Sequence, residues 1–123
     1  MIKESPFKSK YPLNERKAEA DILISKYPDR VPVICERVDG SDIPEMDNKK
    51  FTVDPDMTIG GFQWFLRKYL KLGFEKRIFV FIDNAIPPIA SVMCTLYAQY
   101  RWKHPTDDGF LYITYSGEYT LDE

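Results

Sequence analysis

Cys35, Cys94 and His104 are the residues whose types could assemble a thiol nucleophile and its base, since this chain of 123 residues holds two cysteines and one histidine. A thiol enzyme needs a thiolate, a base within hydrogen-bond reach and a group that orients the base. No recognisable local signature surrounds any of the three. Cys35 ends the apolar run Val31-Pro-Val-Ile-Cys35 and Cys94 follows Met93, so both read as small buried hydrophobes rather than nucleophiles. One histidine and no paired cysteine spacing leave no ligand set for a metal. Gly60-Gly61 is not a phosphate loop, because no lysine follows at the required spacing. Arg67-Lys-Tyr-Leu-Lys71 and Tyr100-Arg-Trp-Lys-His104 interleave cations with aromatics, as a base-stacking surface does. Charged helix faces produce the same pattern, and a formal net charge of −2 gives no overall attraction to nucleic acid. The chemistry that remains is non-covalent binding, with no enzyme activity, cofactor, metal or nucleic acid expected.

The elements that would position a binding surface are legible in the hydrophobic pattern. A content of 44% hydrophobic and 29% charged residues suits one globular domain over 1–123, long enough to bury roughly two thirds of its unfolded surface. An aromatic share of 15% favours a packed core and an apolar groove. No window approaches the ~18 apolar residues of a membrane span, and the start of the chain lacks a signal-peptide core. The two distant cysteines read as reduced thiols, which points to the cytoplasm.

Ser5-Pro6 predicts a short helix to Lys10. A second helix is expected from about Leu13 to Tyr27, with Leu13, Ala20, Leu23, Ile24 and Tyr27 as its apolar stripe and Pro28 as its stop. The first seventeen residues carry five cations, Lys3, Lys8, Lys10, Arg16 and Lys17, against Glu4 and Glu15, which reads as a solvated basic face. Arg30 to Val38 predicts a strand with Pro32 near its start, and Lys49 to Asp54 a shorter edge strand. Thr58 caps a helix to Tyr69 or Leu70, with Ile59, Phe62, Leu66 and Tyr69 as its stripe and Phe65 beside it. Ile78 to Ile82 is a further strand, and Ala90 to Trp102 a helix. The run Phe110-Leu-Tyr-Ile-Thr-Tyr115 is covered on both faces, the mark of a central strand. A hairpin, a helix across it and a last strand inserted centrally fit the β-grasp plan of ubiquitin, one of a few α+β arrangements open to this pattern, with a four-stranded mixed sheet and two additional N-terminal helices.

Tyr27-Pro-Asp-Arg-Val-Pro-Val-Ile-Cys-Glu36, Ser41-Asp-Ile-Pro44, Lys49-Lys-Phe51, Pro87-Pro88 and Phe110-Leu-Tyr-Ile-Thr-Tyr-Ser-Gly-Glu118 together resemble the autophagy ubiquitin-like modifiers, the GABARAP and light-chain-3 family. The resemblance spans nearly the whole chain, with a few extra residues at Arg101–Thr106. It implies a helical extension over 1–28, a β-grasp core over 29–117 and a flexible tail over 118–123. It also implies an autophagy modifier acting in autophagosome formation and cargo selection. Such a protein binds short aromatic-x-x-aliphatic motifs of cargo receptors and adaptors by adding the peptide as a strand.

By the same resemblance Glu19, Leu23, Pro32, Ile34, Lys50, Thr52 and Phe110 line an aromatic pocket. Phe51, Val53, Met57, Phe62 and Phe65 line an aliphatic one, and Arg30 and Lys49 attract acidic residues flanking the motif. Apolar anchors carry most of the affinity, about micromolar or roughly −8 kcal/mol, while the charges tune specificity. Thr52 stands where an aliphatic residue is usual, Tyr69 where arginine is common and Asn48 where lysine is frequent. Further implied partners are a processing protease and activating and conjugating enzymes. Conjugation to phosphatidylethanolamine would place the protein on autophagosomal membranes, but Asp122 occupies the position of the reactive glycine. Its side chain and charge obstruct the thioester and amide steps, so a soluble, non-lipidated docking module is the alternative reading.

Overall fold

The computed structural model describes residues 5–118. The elements run α1 (Pro6–Lys10), α2 (Leu13–Lys26), β1 (Val31–Arg37), β2 (Lys50–Val53), α3 (Ile59–Tyr69), β3 (Phe79–Phe81), α4 (Met93–Lys103) and β4 (Leu111–Ser116). They form a four-stranded sheet in the order β2-β1-β4-β3. β1 pairs antiparallel with β2 and parallel with β4, and β3 pairs antiparallel with β4. The last strand therefore lies inside the sheet, and its apolar residues are buried on both faces, as the pattern of Phe110–Tyr115 requires.

Strand alternation sorts the side chains onto two faces. Pro32, Ile34, Lys50 and Thr52 share one face with Tyr112, whereas Val33, Cys35, Phe51 and Val53 share the other with Leu111 and Ile113. On the second face α3 buries Ile59, Phe62 and Leu66. Each such side chain withdrawn from water contributes roughly 1.5–3 kcal/mol. Thr58 caps α3 by accepting from the Gly61 N–H at 3.0 Å. Ser5 caps α1 in the same way through Lys8 N at 3.2 Å.

Three local expectations change. α4 begins at Met93 rather than Ala90, because the preceding backbone bonds instead to the segment before α3. Ile59 N donates to Ser91 O at 2.9 Å and Met93 N to Met57 O at 2.8 Å. The apolar stripe of α2 is narrower than expected, with Leu13 44% and Tyr27 40% exposed. In their place α2 buries Arg16 beside Ala20. Arg16 Nη1 lies 2.6 Å from Asp108 Oδ2, whose side chain is wholly covered. Lys8 pairs with Asp107 at 2.7 Å. Two cations of the supposedly solvated basic face are thus fastened to the turn before β4.

That turn is shaped for the helix. Gly109 adopts φ +103°, and a Cβ there would come within 3.3 Å of the Ala20 side chain. Burial, and then the hydrogen bond to Asp108, push the Tyr112 phenol up, so it remains a donor to that carboxylate. Pro32 is tolerated because its missing N–H faces the β4 side, where that strand begins only opposite Val33. Among the described residues, no helix is long and apolar enough to cross a membrane. Of the tail over 118–123 only Glu118 is described, and Asp122 lies outside the described residues.

Candidate functional site

β2 is an edge strand, with β1 on one side and, among the described residues, no strand on the other. The Cys35 N–H donates to Lys49 O at 2.8 Å, which sets the phase of the ladder. In an antiparallel pair, alternate residues turn their backbone groups toward and away from the partner. Lys49, Phe51 and Val53 therefore face β1, and Lys50 and Thr52 face outward. Two of those outward groups touch side chains instead. Lys50 N donates to Asn48 Oδ1 at 3.3 Å, and Thr52 O accepts from Arg30 Nη2 at 2.9 Å.

On the α2 face, only Glu19 and Lys50 of the residues expected to form an aromatic pocket line a cavity, and the seven lie at different depths. Pro32, Ile34 and Phe110 are buried, while Glu19, Leu23, Lys50 and Thr52 are half-buried. Lys50 Nζ and the Glu19 carboxylate form an ion pair across the gap between β2 and α2. Beside it opens a cavity of about 320 Å³ whose walls include Phe7, Tyr11, Ala18 and Ile22 along with Glu19 and Lys50. Phe7 meets Phe110 edge to face at 5.7 Å and lies tilted against Tyr11 at 5.0 Å. The sequence reading missed these walls. The signal available for Phe7 was an apolar residue in a helix too short to have a core of its own.

On the α3 face, Phe51 and Phe65 of the expected aliphatic pocket form an aromatic cluster at the surface with Tyr69. Phe51 meets Phe65 edge to face at 5.5 Å and Tyr69 at 6.0 Å. Beneath them Phe62 is fully buried, with its ring centroid 5.7 Å from Phe65. Val53 is buried as well, and Met57 is half-buried against the core. The resulting hollow of about 570 Å³ is wide and shallow, walled by Phe51, Phe65, Lys68 and Tyr69. Tyr69, a departure from the expected arginine, therefore adds an apolar wall where a charge was missing.

The two charge positions differ. Arg30 reaches across to Thr52, with Nε 3.0 Å from Oγ1 as well as Nη2 on the carbonyl. The Lys49 backbone carbonyl is committed to Cys35, and its side chain falls on the Phe51 face by alternation.

The thiols do not assemble a nucleophilic site. Cys35 is fully buried, and burial, then the charge of Glu36, push its thiol up. Cys94 is exposed, contrary to its reading as a buried hydrophobe. It sits in the first turn of α4, where its N–H donates to Pro55 O at 2.9 Å. His104 bonds instead to Asp83 at 3.1 Å. Among the described residues, no group of three or more His, Cys, Asp or Glu could hold a metal ion. Gly117 is no accessible carboxyl-terminal handle, since a Cβ there would come within 2.9 Å of Ile43 Cγ1 and its N–H donates to Ser41 Oγ at 3.0 Å.

A hairpin crossed by a helix, with the terminal strand inserted between β1 and β3, is the ubiquitin-like β-grasp, here with a free edge between two hollows. Comparison with known proteins sharpens that class. Residues 15–122 match the family described as autophagy protein Atg8 ubiquitin like. Autophagy-related protein 8 of Coccidioides immitis is 51% identical over 117 residues, covering 95% of this chain and 97% of its own. That of Gibberella zeae is 50% identical over 119 residues, covering 97% and 98%. Among solved structures, Trypanosoma brucei ATG8 superposes with a TM-score of 0.84 at 38% identity, covering 93% of this chain and 95% of that one. Plasmodium falciparum Atg8, solved in complex with a Plasmodium falciparum Atg3 peptide, gives 0.79 at 32% identity, with 93% and 97% covered. The chain belongs to the Atg8 family of autophagy ubiquitin-like proteins, which are modifiers and binding modules rather than enzymes.

Proposed function

We propose that this chain docks short extended peptides along the outer edge of β2, with an aromatic anchor in the α2-side hollow and an aliphatic anchor in the α3-side hollow. One observation carries the reading: the two hollows lie on opposite faces of the same edge strand. Side chains of an added strand alternate between faces, so anchors separated by an odd number of positions fall on opposite sides. An aromatic-x-x-aliphatic motif has a spacing of three and meets that condition.

The polar residues Glu19, Lys50, Arg30 and Lys49 surround the aromatic side and the strand itself and would orient the peptide. Phe51, Phe65 and the buried Val53 and Phe62 would hold the aliphatic anchor, with Met57 at its border. The partners proposed are cargo receptors and adaptors carrying such motifs, in cargo selection and autophagosome formation. The Atg3 peptide bound by the Plasmodium falciparum relative supports a conjugating enzyme as a further partner.

With Asp122 at the position of the family's reactive glycine, we place the docking form in the cytoplasm. Mass spectrometry of protein from native membranes tests this, and a phosphatidylethanolamine adduct at that position would reverse it. Docking itself is tested by NMR titration with an acidic Trp-x-x-Leu peptide. Amide shifts should concentrate at Arg30, Lys50, Phe51, Phe65 and Phe110. Shifts confined to β3 or α4 would refute the proposed edge.

A further inference from the structure

We propose that the outer face of α3, tipped by Trp64 and Phe74, is a contact surface for anionic membranes, engaged reversibly and without a covalent lipid. Consecutive helix residues turn by about 100°, which sets Trp64 nearly opposite the buried line of Ile59, Phe62 and Leu66. It is 50% exposed. Phe74, from the loop between α3 and β3, stacks on it with ring centroids 5.9 Å apart and is itself 83% exposed. Gly60 lies one turn before Trp64 on the same face. Ile89, 65% exposed, crosses that glycine so closely that a Cβ there would stand 3.1 Å from its Cγ1. The three apolar side chains thus mark one outward patch.

The loop is held in place to present it. Arg67 Nη1 donates to Gly73 O at 2.5 Å and to Lys76 O at 2.6 Å, and the Leu72 N–H donates to Arg67 O at 2.9 Å. Leu72 packs half-buried against the core. An aromatic pair kept outward gives up the stabilisation of burial, and a contiguous apolar patch of this kind marks a contact surface. Residues 67–77 carry five cations, Arg67, Lys68, Lys71, Lys76 and Arg77, against Glu75, in a chain of formal net charge −2. Arg67 holds the loop and Lys76 pairs with Asp42, whereas Lys68, Lys71 and Arg77 are exposed. Cations around an aromatic tip complement an anionic surface. The shape selects which one. A peptide needs a groove, yet neither hollow beside β2 is walled by Trp64, Phe74 or Ile89, and Phe74 stands clear of the protein. A bilayer accepts such a protrusion, seating the rings at the headgroup boundary. Single-stranded RNA would need open ring faces, and Trp64 and Phe74 cover one face of each other.

Vesicle binding by the full chain tests this. The chain has two tryptophans, so in a Trp102→Phe background the fluorescence reports Trp64 alone. With phosphatidylcholine vesicles containing about one third phosphatidylserine, Trp64 emission should move to the blue and be quenched by brominated acyl chains. Raised salt should reverse both. Vesicles of phosphatidylcholine alone should bind at least about ten-fold more weakly. Phe74→Ser should weaken binding to the anionic vesicles about ten-fold. Lys68→Gln combined with Lys71→Gln should weaken it about ten- to thirty-fold, roughly five-fold for each charge.

Absence of binding to the anionic vesicles overturns the proposal. So does binding that leaves Trp64 emission unchanged, that survives Phe74→Ser, or that is equal with and without phosphatidylserine. Quenching of Trp64 by poly(U) RNA that excess anionic vesicles do not reverse would overturn it in favour of nucleic acid. Phe74→Tyr, which keeps a ring at the tip, should retain binding, and a loss as large as that of Phe74→Ser counts against insertion of the ring. The peptide-docking reading is independent: Phe74 walls neither hollow, so Phe74→Ser should bind the Trp-x-x-Leu peptide as the parent does.

Discussion

The two faces flanking β2 solve the same problem with different materials. On the α2 side the surface is closed by charge: Lys50 pairs with Glu19, Arg30 clasps Thr52, and Arg16 and Lys8 fasten the helices to Asp108 and Asp107. On the α3 side it is closed by rings, with Phe51, Phe65 and Tyr69 edge to face or tilted over a buried Phe62. Rings pack without directional partners and leave a broad open hollow. Ion pairs close a narrow one whose rim can open when a competing partner is offered. On the proposed docking reading the polar side would discriminate and the aromatic side would supply bulk affinity, the division of labour between charges and apolar anchors at interfaces.

The comparison breaks most readily at its foundations. Phe62→Ala removes the ring under the aromatic cluster and should cost about 3–5 kcal/mol of stability in urea unfolding. Arg16→Met on the other side strands the covered Asp108 carboxylate, although Phe110 N and the Tyr112 hydroxyl still reach it. A loss near the lower end of about 3–5 kcal/mol is therefore expected. Equal or greater loss for Arg16→Met would mean that charge, not apolar packing, carries the fold.

At the surface the asymmetry should appear in binding. Phe65→Ala should weaken a Trp-x-x-Leu peptide by about 1–2 kcal/mol in calorimetry. Glu19→Gln, which frees Lys50, should change stability by less than about 1 kcal/mol, with its main effect on peptide preference.

The smallest test is acid titration. Burial works to raise the Asp107 carboxyl, but the hydrogen bond and charge of Lys8, with Arg16, hold it below the usual carboxylate range. A carboxyl lowered in the folded state stabilises fully above its unfolded pKa, about 4, and loses that contribution as pH falls through the lower folded value. The urea midpoint should therefore drop as pH is taken from about 5 toward 2, and Asp107→Asn should flatten part of that slope. An unchanged slope in Asp107→Asn would remove the helix-to-turn ion pair from the account.

Element types were largely legible because their signals are local. Thr58 caps α3, Ser5-Pro6 opens α1, and β4 shows by its composition that both its faces are covered. The edge position of β2 followed from its shortness and its lysines. Misreadings arose where a residue's partner is distant. Arg16 looked like part of a solvated face until Asp108, remote in sequence, was placed beside it. Leu13 and Tyr27 fit the helical spacing yet stay half exposed, because the sheet meets α2 along the line of Arg16, Ala20 and Leu23. Cys94 looked buried beside Met93, but consecutive residues on a helix point about 100° apart, and only Met93 faces the core.

For the candidate site the division is similar. Composition and order, together with the motifs that place the chain in its family, determined the β-grasp and the edge position of β2. The tertiary structure alone decided that Phe7 and Tyr11 wall the α2-side cavity, that Tyr69 completes the aromatic cluster, and that Arg30 and Asn48 occupy the outward groups of β2. The physical reason is reach. Periodicity and capping act over one or two turns of chain, whereas a guanidinium or a ring finds its partner through space, wherever the packed sheet brings that partner.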